Sequence, residues 1–599
     1  MLTRRLLTCS VLGFFCVVVV AQDCLAGTFP AANNAKVREL RLKIRAAQFL
    51  TRATFGPRPA DIDKLATRMK QVGYNRAVGE WIDAQWDIPA TSHRATAIDM
   101  ISDDTFTPLT PAIGHNRYKD HAWWHIAVNA DDQLRQRVAW ALMQICVINE
   151  RGGGFGTQEI DVSGFPRYLG VANYYDMLCE NASTNYRKVL QDVSLHPCMG
   201  VFLSHIRNRK AIPSRGIFPD ENYAREVMQL MSIGLYEQRP SGEFRRRDGQ
   251  LIDTYDNDDI KAFARVFTGL SYKVNDNRFY GAANLNEPMQ AFDQYHDTDP
   301  KEVLRGETLP GGNGTIADVT AGLDNIFNHP NVPPFMSRLL IQRLVKSNPS
   351  KGYIRRVGRV FRNNGQGVRG DMKAVVKAIL MDREANSLKF RRLRRPYRLQ
   401  VTQKGTENSK LREPVLAYTA FMRAFEVTNS YPTGRLMMPN LRDLNQAPYE
   451  AHHVFNFYLP DYQPPGPITS YVPSRRLPNG SMFAPEFQIM TSVAANRTAN
   501  RYFYDVRDAN SFYRVLNSSA GRLENTITRD FSTEESLAAD PAALMTHLDL
   551  ILCHGSMSDS AKEVIATAIE EETEKTNLTL RARSAILAVL TSPDFMVTE

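Results

Sequence analysis

Apolar residues along this chain recur mostly at three- and four-residue steps, the spacing that lays a stripe along one side of a helix. From Gln133, the residues Leu134, Val138, Ala141, Ile145 and Ile148 form such a stripe, which stops at Gly152-Gly153-Gly154. Further helical patterns run near Tyr174 to Leu190, Asp220 to Leu235, Asp259 to Thr268, Ala317 to Phe327, Pro334 to Val345, Gly352 to Arg362, Asp371 to Leu380 and Ser560 to Leu590. Strand-like alternation is scarce, although the polar, Gly-containing stretch from Gly242 to Ile252 suits a small hairpin. From Tyr431 to Pro473 the chain is rich in Pro, Asn and Tyr and reads as a long ordered loop, a kind of segment that often carries function. The expected fold is mainly α: one large helical body with long ordered loops and at most a small β-hairpin appendage.

The N-terminus changes this picture by giving the protein an address. Arg4-Arg5 precede a largely apolar run from Leu6 to Ala21, and in Cys24-Leu25-Ala26-Gly27 small residues sit one and three positions before a plausible cut. A positive start, a short apolar core and a small-residue exit make a signal peptide over residues 1–26. The run is shorter than the roughly 20 apolar residues of a membrane span, so no transmembrane helix is expected once it is removed. The expected location is exported, periplasmic or extracellular. Residues 27–45 then read as a linker, 46–535 as the main helical domain and 536–599 as a C-terminal helical segment packed on it.

Composition agrees with a folded chain: 43% hydrophobic and 23% charged, with no low-complexity tract. The formal charge of +9 fits an anionic envelope or polymer, and export makes nucleic acid an unexpected partner. Cys146, Cys179, Cys198 and Cys553 remain after the signal, none in a CxxC spacing. In an oxidising compartment they allow one or two disulfides, with Cys179 and Cys198 the pair nearest in sequence; buried free thiols are the alternative.

Several ordered segments carry a resemblance. They are Ala46-Ala47-Gln48-Phe49-Leu50-Thr51-Arg52-Ala53-Thr54-Phe55-Gly56, Leu134-Arg135-Gln136-Arg137-Val138-Ala139, Asp220-Glu221-Asn222-Tyr223-Ala224-Arg225-Glu226 and Phe263-Ala264-Arg265-Val266-Phe267-Thr268-Gly269. Later come His296-Asp297, His329-Pro330-Asn331-Val332, Leu344-Val345-Lys346-Ser347-Asn348-Pro349, Val454-Phe455-Asn456-Phe457-Tyr458 and the tail from Val589 to Phe595. Together they resemble the bacterial domain-of-unknown-function family 1800 over nearly the whole mature chain. The resemblance implies an exported protein, and for many members a neighbouring sulfatase-like partner. It supplies no catalytic residue.

Candidate chemistry therefore comes from the residues alone. On the helix begun by Asp220, the residues Tyr223, Val227, Leu230 and Met231 form the apolar face, and Glu221 and Arg225 at i,i+4 suit a solvated ion pair. Glu226 sits at the edge of that face, where a carboxylate must be paired, hydrogen-bonded or shifted in pKa; a structural network and a catalytic or metal role are both open. With Glu226, the loop pair His296-Asp297 offers a base and its orienter, or a loop-stabilising contact. Asn222, Arg225 and Arg135 are candidates for holding substrate.

His121 and His125 share one helix face at a spacing that admits a divalent metal, but lack the glutamate of HExxH. Asp253, Asp256, Asp258 and Asp259 suit helix capping better than a calcium loop. No GxSxG elbow, haem motif or dinucleotide loop occurs. Two readings follow: an envelope hydrolase acting on a polymer or ester, or a non-catalytic envelope assembly protein that binds a partner such as the sulfatase-like one.

Overall fold

The computed structural model describes residues 34–598 apart from 104–116, 152–153, 156, 158, 276, 387–388, 393–398, 403–408, 430–434, 437–441, 471–473, 508–509, 518–520 and 572–575. The signal segment 1–26 lies outside the described residues, as do parts of the loop 431–473. The fold is mainly α, with 22 helices among the described residues and only small antiparallel pairings beside them. None of these helices is long and apolar enough to cross a membrane.

The first helix, Asn34–Ala53, takes in most of the segment expected to be a linker. The sequence reason is plain in retrospect: Leu40, Ile44 and Ala47 recur at steps of four and three, and Ile44 and Ala47 are buried. At the end of this helix the chain turns at Gly56, whose φ of +127° suits glycine and whose Cα approaches helix Pro414–Ala424 so closely that a Cβ would lie 2.5 Å from the Ala420 Cα.

Two expected helices are each divided. The pattern from Tyr174 to Leu190 covers helices Leu169–Asn181 and Tyr186–Leu195, and that from Ser560 to Leu590 covers Asp559–Glu570 and Leu578–Leu590. At each restart a short polar side chain caps the new helix: Asn185 accepts from the Arg187 amide, Asn577 from that of Leu580. Capping of this kind competes with helix continuation, and apolar periodicity alone does not register it.

The expected hairpin forms between Arg246–Arg247 and Gln250–Leu251. Its turn residues Asp248 and Gly249 both take positive φ, 51° and 83°, the backbone a two-residue hairpin turn requires. A longer antiparallel pair joins Asn510–Asn517 to Gly521–Thr528, with Thr428–Asn429 added at its edge. Near the C-terminus, Val597–Thr598 pairs with Lys410–Leu411 and ties the last segment to the main body.

The core is centred on helix Gln133–Met143, every residue of which is buried. Trp123 meets Trp124 and Trp140 with ring centroids 5.2 and 5.1 Å apart. Cys146, Cys179, Cys198 and Cys553 are all buried and free, the second of the two alternatives the sequence left open. The Cys179 thiol bonds Gln136 Oε1 at 3.3 Å, and the Cys198 sulfur lies against Gly170, so each is placed by its own neighbours.

Candidate functional site

Helix Asn222–Gln229 is shorter than the sequence pattern suggests. Asp220 sits at its start and accepts from the Asn222 amide at 2.8 Å. Beyond its end, Gly234 takes a φ of 73° beneath the Phe335 ring, 2.6 Å from where a Cβ would stand. One side of the helix is fixed by Tyr223, which stacks on His205 at 3.9 Å between ring centroids and shares a 2.6 Å hydrogen bond with the Ser194 hydroxyl. On the solvent side, Asn222 is exposed and Arg225 donates to Glu221 at 3.1 Å, both side chains about 40% exposed.

Glu226 differs from Asp220 and Glu221, the carboxylates that precede the helix. It is 7% exposed, and its Oε2 is buried without a hydrogen-bond partner among the described residues. Burial pushes its carboxyl pKa up, opposed by the nearby Arg225 charge, which is itself engaged with Glu221. The Tyr255 hydroxyl is likewise buried without a partner. Burial, and next the Glu226 charge, push that phenol up to about 12. Tyr255 precedes a capping box: Asp256 accepts from the Asp258 and Asp259 amides at 2.8 and 3.1 Å, and Asp259 returns a bond from the Asp256 amide at 3.0 Å. Nothing in the apolar periodicity singles out Tyr255; the only trace is its place just before that box.

His296 and Asp297 are adjacent to a different set of partners. The ring nitrogens of His296 lie 2.9 Å from the Thr268 carbonyl and 3.0 Å from Asp318 Oδ2. Asp318 also accepts from Lys301 at 2.6 Å and Asn313 at 2.8 Å. Asp297 accepts two bonds from Arg265, each 2.9 Å, and one from the Asp299 amide at 3.1 Å. These bonds pair both side chains with neighbouring segments, and among the described residues no hydrogen bond joins them to Glu226. Sequence reading missed Asp318 and Lys301, which stand 22 and 5 residues beyond His296 and have no local pattern linking them to it.

The remaining candidates are held in place by ordinary contacts. Arg135 donates to the Ser183 hydroxyl at 3.0 Å and to the Trp86 and Ile88 carbonyls at 3.1 and 3.2 Å. His121 is buried with its ring edge-on to Tyr118. His125 Nδ1 accepts from the Leu436 amide at 3.0 Å, and burial pulls its pKa down to about 4. Among the described residues no three His, Cys, Asp or Glu side chains are grouped to hold a metal ion.

A cleft of about 350 Å3 opens beside Thr91, Ser92, Arg94, Asp99, Asn173 and Asp176. Burial pushes Asp176 up to about 6, countered by its bonds to Ser92, Arg94 and His93. Those bonds, 2.6 Å from Ser92 Oγ, 2.6 Å from the His93 amide and 3.0 Å from that of Arg94, commit it to starting helix His93–Asp103.

No curated protein and no solved structure matches the chain. The family described as a protein of unknown function, DUF1800, matches residues 48–597. A match over nearly the whole length, on a mainly α body of this kind, places the chain in that family.

Proposed function

We propose that this is an exported cell-envelope hydrolase acting on a polymer or ester, with the Glu226 carboxyl as the group that gives or takes a proton. The observation that carries the reading is the buried, unpartnered Oε2 of Glu226. Carboxylates kept for structure are paired through at least one oxygen, as Asp297, Asp318, Glu413 and Glu534 are, whereas neither oxygen of Glu226 makes a hydrogen bond among the described residues; leaving a buried oxygen unmatched costs on the order of 1–3 kcal/mol. A carboxyl whose pKa is raised by burial suits general acid catalysis near neutral pH. Tyr255 stands as the second proton-bearing group, and Asn222 and Arg225 lie on the solvent side of the same helix, where a substrate would approach. The network of His296 and Asp297 then holds the loop rather than the substrate. The signal over residues 1–26 directs the protein to a compartment where envelope polymers are the available substrates.

The test assays the mature chain against aryl esters and envelope polysaccharides, in parallel with Glu226→Gln. Loss of a general acid lowers turnover by about 10²–10⁴-fold. Equal rates in the two proteins, or no hydrolysis of either substrate class by the wild type, would overturn the assignment.

A second reading, partner binding within the envelope, is favoured by one observation: Val493, Phe503 and Tyr504 on helix Ser492–Arg507 are 54%, 42% and 58% exposed. Exposed apolar groups grouped on one element suit a protein surface such as the sulfatase-like partner. Co-purification with that partner, lost in Tyr504→Asp, supports this reading; no complex under any condition removes it.

A further inference from the structure

Four cationic side chains converge on one small cavity in the interior. Arg52, Arg137, Lys410 and Arg412 line about 40 Å3 of space together with Phe55 and Gly56, and no carboxylate among the described residues lines it. Arg137 and Arg412 are 2% and 4% exposed. Arg137 donates through Nη2 to the Arg343 carbonyl at 2.7 Å, while its Nε and Nη1 are buried and meet no acceptor among the described residues. Arg412 donates through Nη2 to the Leu552 carbonyl at 2.8 Å and lies 3.2 Å from His554 Nδ1; its Nε and Nη1 are likewise unmatched. Phe595 covers the Arg412 guanidinium, 4.5 Å from ring centroid to Cζ. Lys410 bonds the Gln342 and Arg343 carbonyls at 2.7 and 3.0 Å.

The nearest carboxylates do not balance this charge. Glu486 and Glu413 lie 3.3 and 3.6 Å from Lys410, two carboxylates against the four cations; Glu413 Oε2 accepts from Trp140, Gln144 and Gln446 at 3.2, 2.8 and 2.9 Å, and its Oε1 makes no hydrogen bond to any of the cations. Burial pulls Arg137 and Arg412 down, Arg412 to about 10, which shows how poorly the surroundings compensate these charges. Buried charges are ordinarily paired, and guanidinium forks match oxyanions with two donors at a time. Neutral water can accept those hydrogen bonds but leaves the charge uncompensated.

We propose that this cavity binds one small inorganic oxyanion of phosphate or sulfate size, held by the free donors of Arg137 and Arg412 in the field of Lys410 and Arg52. A single water needs about 10–15 Å3 of such space, so the cavity takes a few oxygen-sized atoms and excludes a sugar or a nucleoside. The site stands apart from Glu226 and is independent of the hydrolase reading. Its walls come from segments distant in the chain: the end of the first helix with its turn, the central helix Gln133–Met143, and the strand Lys410–Leu411 that the C-terminus pairs with. The anion therefore acts as an internal fastener between the two ends of the fold.

The mature chain is washed into chloride buffer, then compared in chloride, inorganic phosphate and sulfate at equal ionic strength by thermal melting. The anion released when the washed protein is denatured is identified by ion chromatography. A saturable rise of the midpoint in phosphate or sulfate above chloride, or a stoichiometric oxyanion released from the washed chain, supports the site. Arg137→Met and Arg412→Gln each remove charge-assisted donors, so the half-saturating phosphate concentration rises at least about tenfold. Should both variants fail to fold, the wild-type measurements decide alone. Equal midpoints in all three salts with no oxyanion released, the signature of a cavity filled by water, overturn the proposal.

Discussion

Lys301 Nζ lies 2.6 Å from Asp318 Oδ2, with the two side chains 1% and 0% exposed. Lys301 also donates to the Asp299 carbonyl at 2.9 Å, and Asp318 receives His296 and Asn313 as well. Replacing Asp318 by Asn leaves a buried ammonium with carbonyls and, as its nearest counter-charge, the Asp297 carboxylate 3.8 Å away that Arg265 already engages. Removing one partner of a buried ion pair costs about 3–5 kcal/mol. Urea unfolding of Asp318→Asn at pH 7 is expected to show a loss in that range, and an unchanged midpoint would mean that the pair contributes nothing to the folded state.

Acid should weaken the same region. Burial raises the Asp297 carboxyl, but the bonds and charge of Arg265, with Lys301, outweigh it and hold the folded pKa below the ordinary value; Asp318 is held down in the same way by Lys301, Asn313 and His296. A depressed folded pKa means that the unfolded chain binds the proton more readily. The stabilisation is thus fully present above an unfolded pKa of about 3.9 and is lost as pH falls through the folded values. Between pH 5 and 3, wild type should lose more stability in urea melts than Asp297→Asn does. Parallel losses in the two proteins would show that this ion pair has no part in acid unfolding.

The thiols give a prediction that separates location from covalent structure. Burial pushes all four described cysteines up, Cys146 to about 12, so none is a reactive thiolate in the folded chain. In protein prepared as residues 27–599, which holds only these four, a colorimetric thiol reagent should find none accessible when folded and four after denaturation. Reductant should leave the melting curve unchanged. Two or more thiols missing from the denatured count would place a disulfide in the protein.

Where the sequence was legible, the reason is local. The stripe Leu134, Val138 and Ala141 marks a helix because each step is read within one turn, and the Asp248-Gly249 turn is read from two residues. The Glu221–Arg225 pair is legible for the same reason. Arg137 and Arg412 are not, because an arginine on a helix or in a connecting segment looks the same in sequence whether its guanidinium reaches solvent or a buried cavity. Asp318 and Lys301 escape for a related reason: they join His296 through tertiary folding, which no short-range period encodes. The unsatisfied Oε2 of Glu226 was only half legible. Its edge position is a matter of helical angle, but the lack of a partner depends on residues brought in from outside the helix.

That missing partner sets stability and function against each other at Glu226. Burial raises the folded pKa above its ordinary value, so the folded chain binds the proton more tightly than the unfolded one. By linkage, the cost is present in full above the folded pKa and is relieved as pH falls from there toward the unfolded value. Glu226→Gln removes the charge while keeping the shape. At pH 8 it is therefore expected to unfold at a higher urea concentration than wild type, by on the order of 1 kcal/mol for one relieved buried oxygen. The gain should shrink as pH falls toward 5, where wild-type Glu226 takes up its own proton. A carboxylate that served the fold would give the opposite result, with Glu226→Gln less stable at every pH. The pairing of higher stability with lost hydrolysis is the signature of a group retained for chemistry. Higher stability with hydrolysis intact would leave Glu226 buried and strained but outside the reaction.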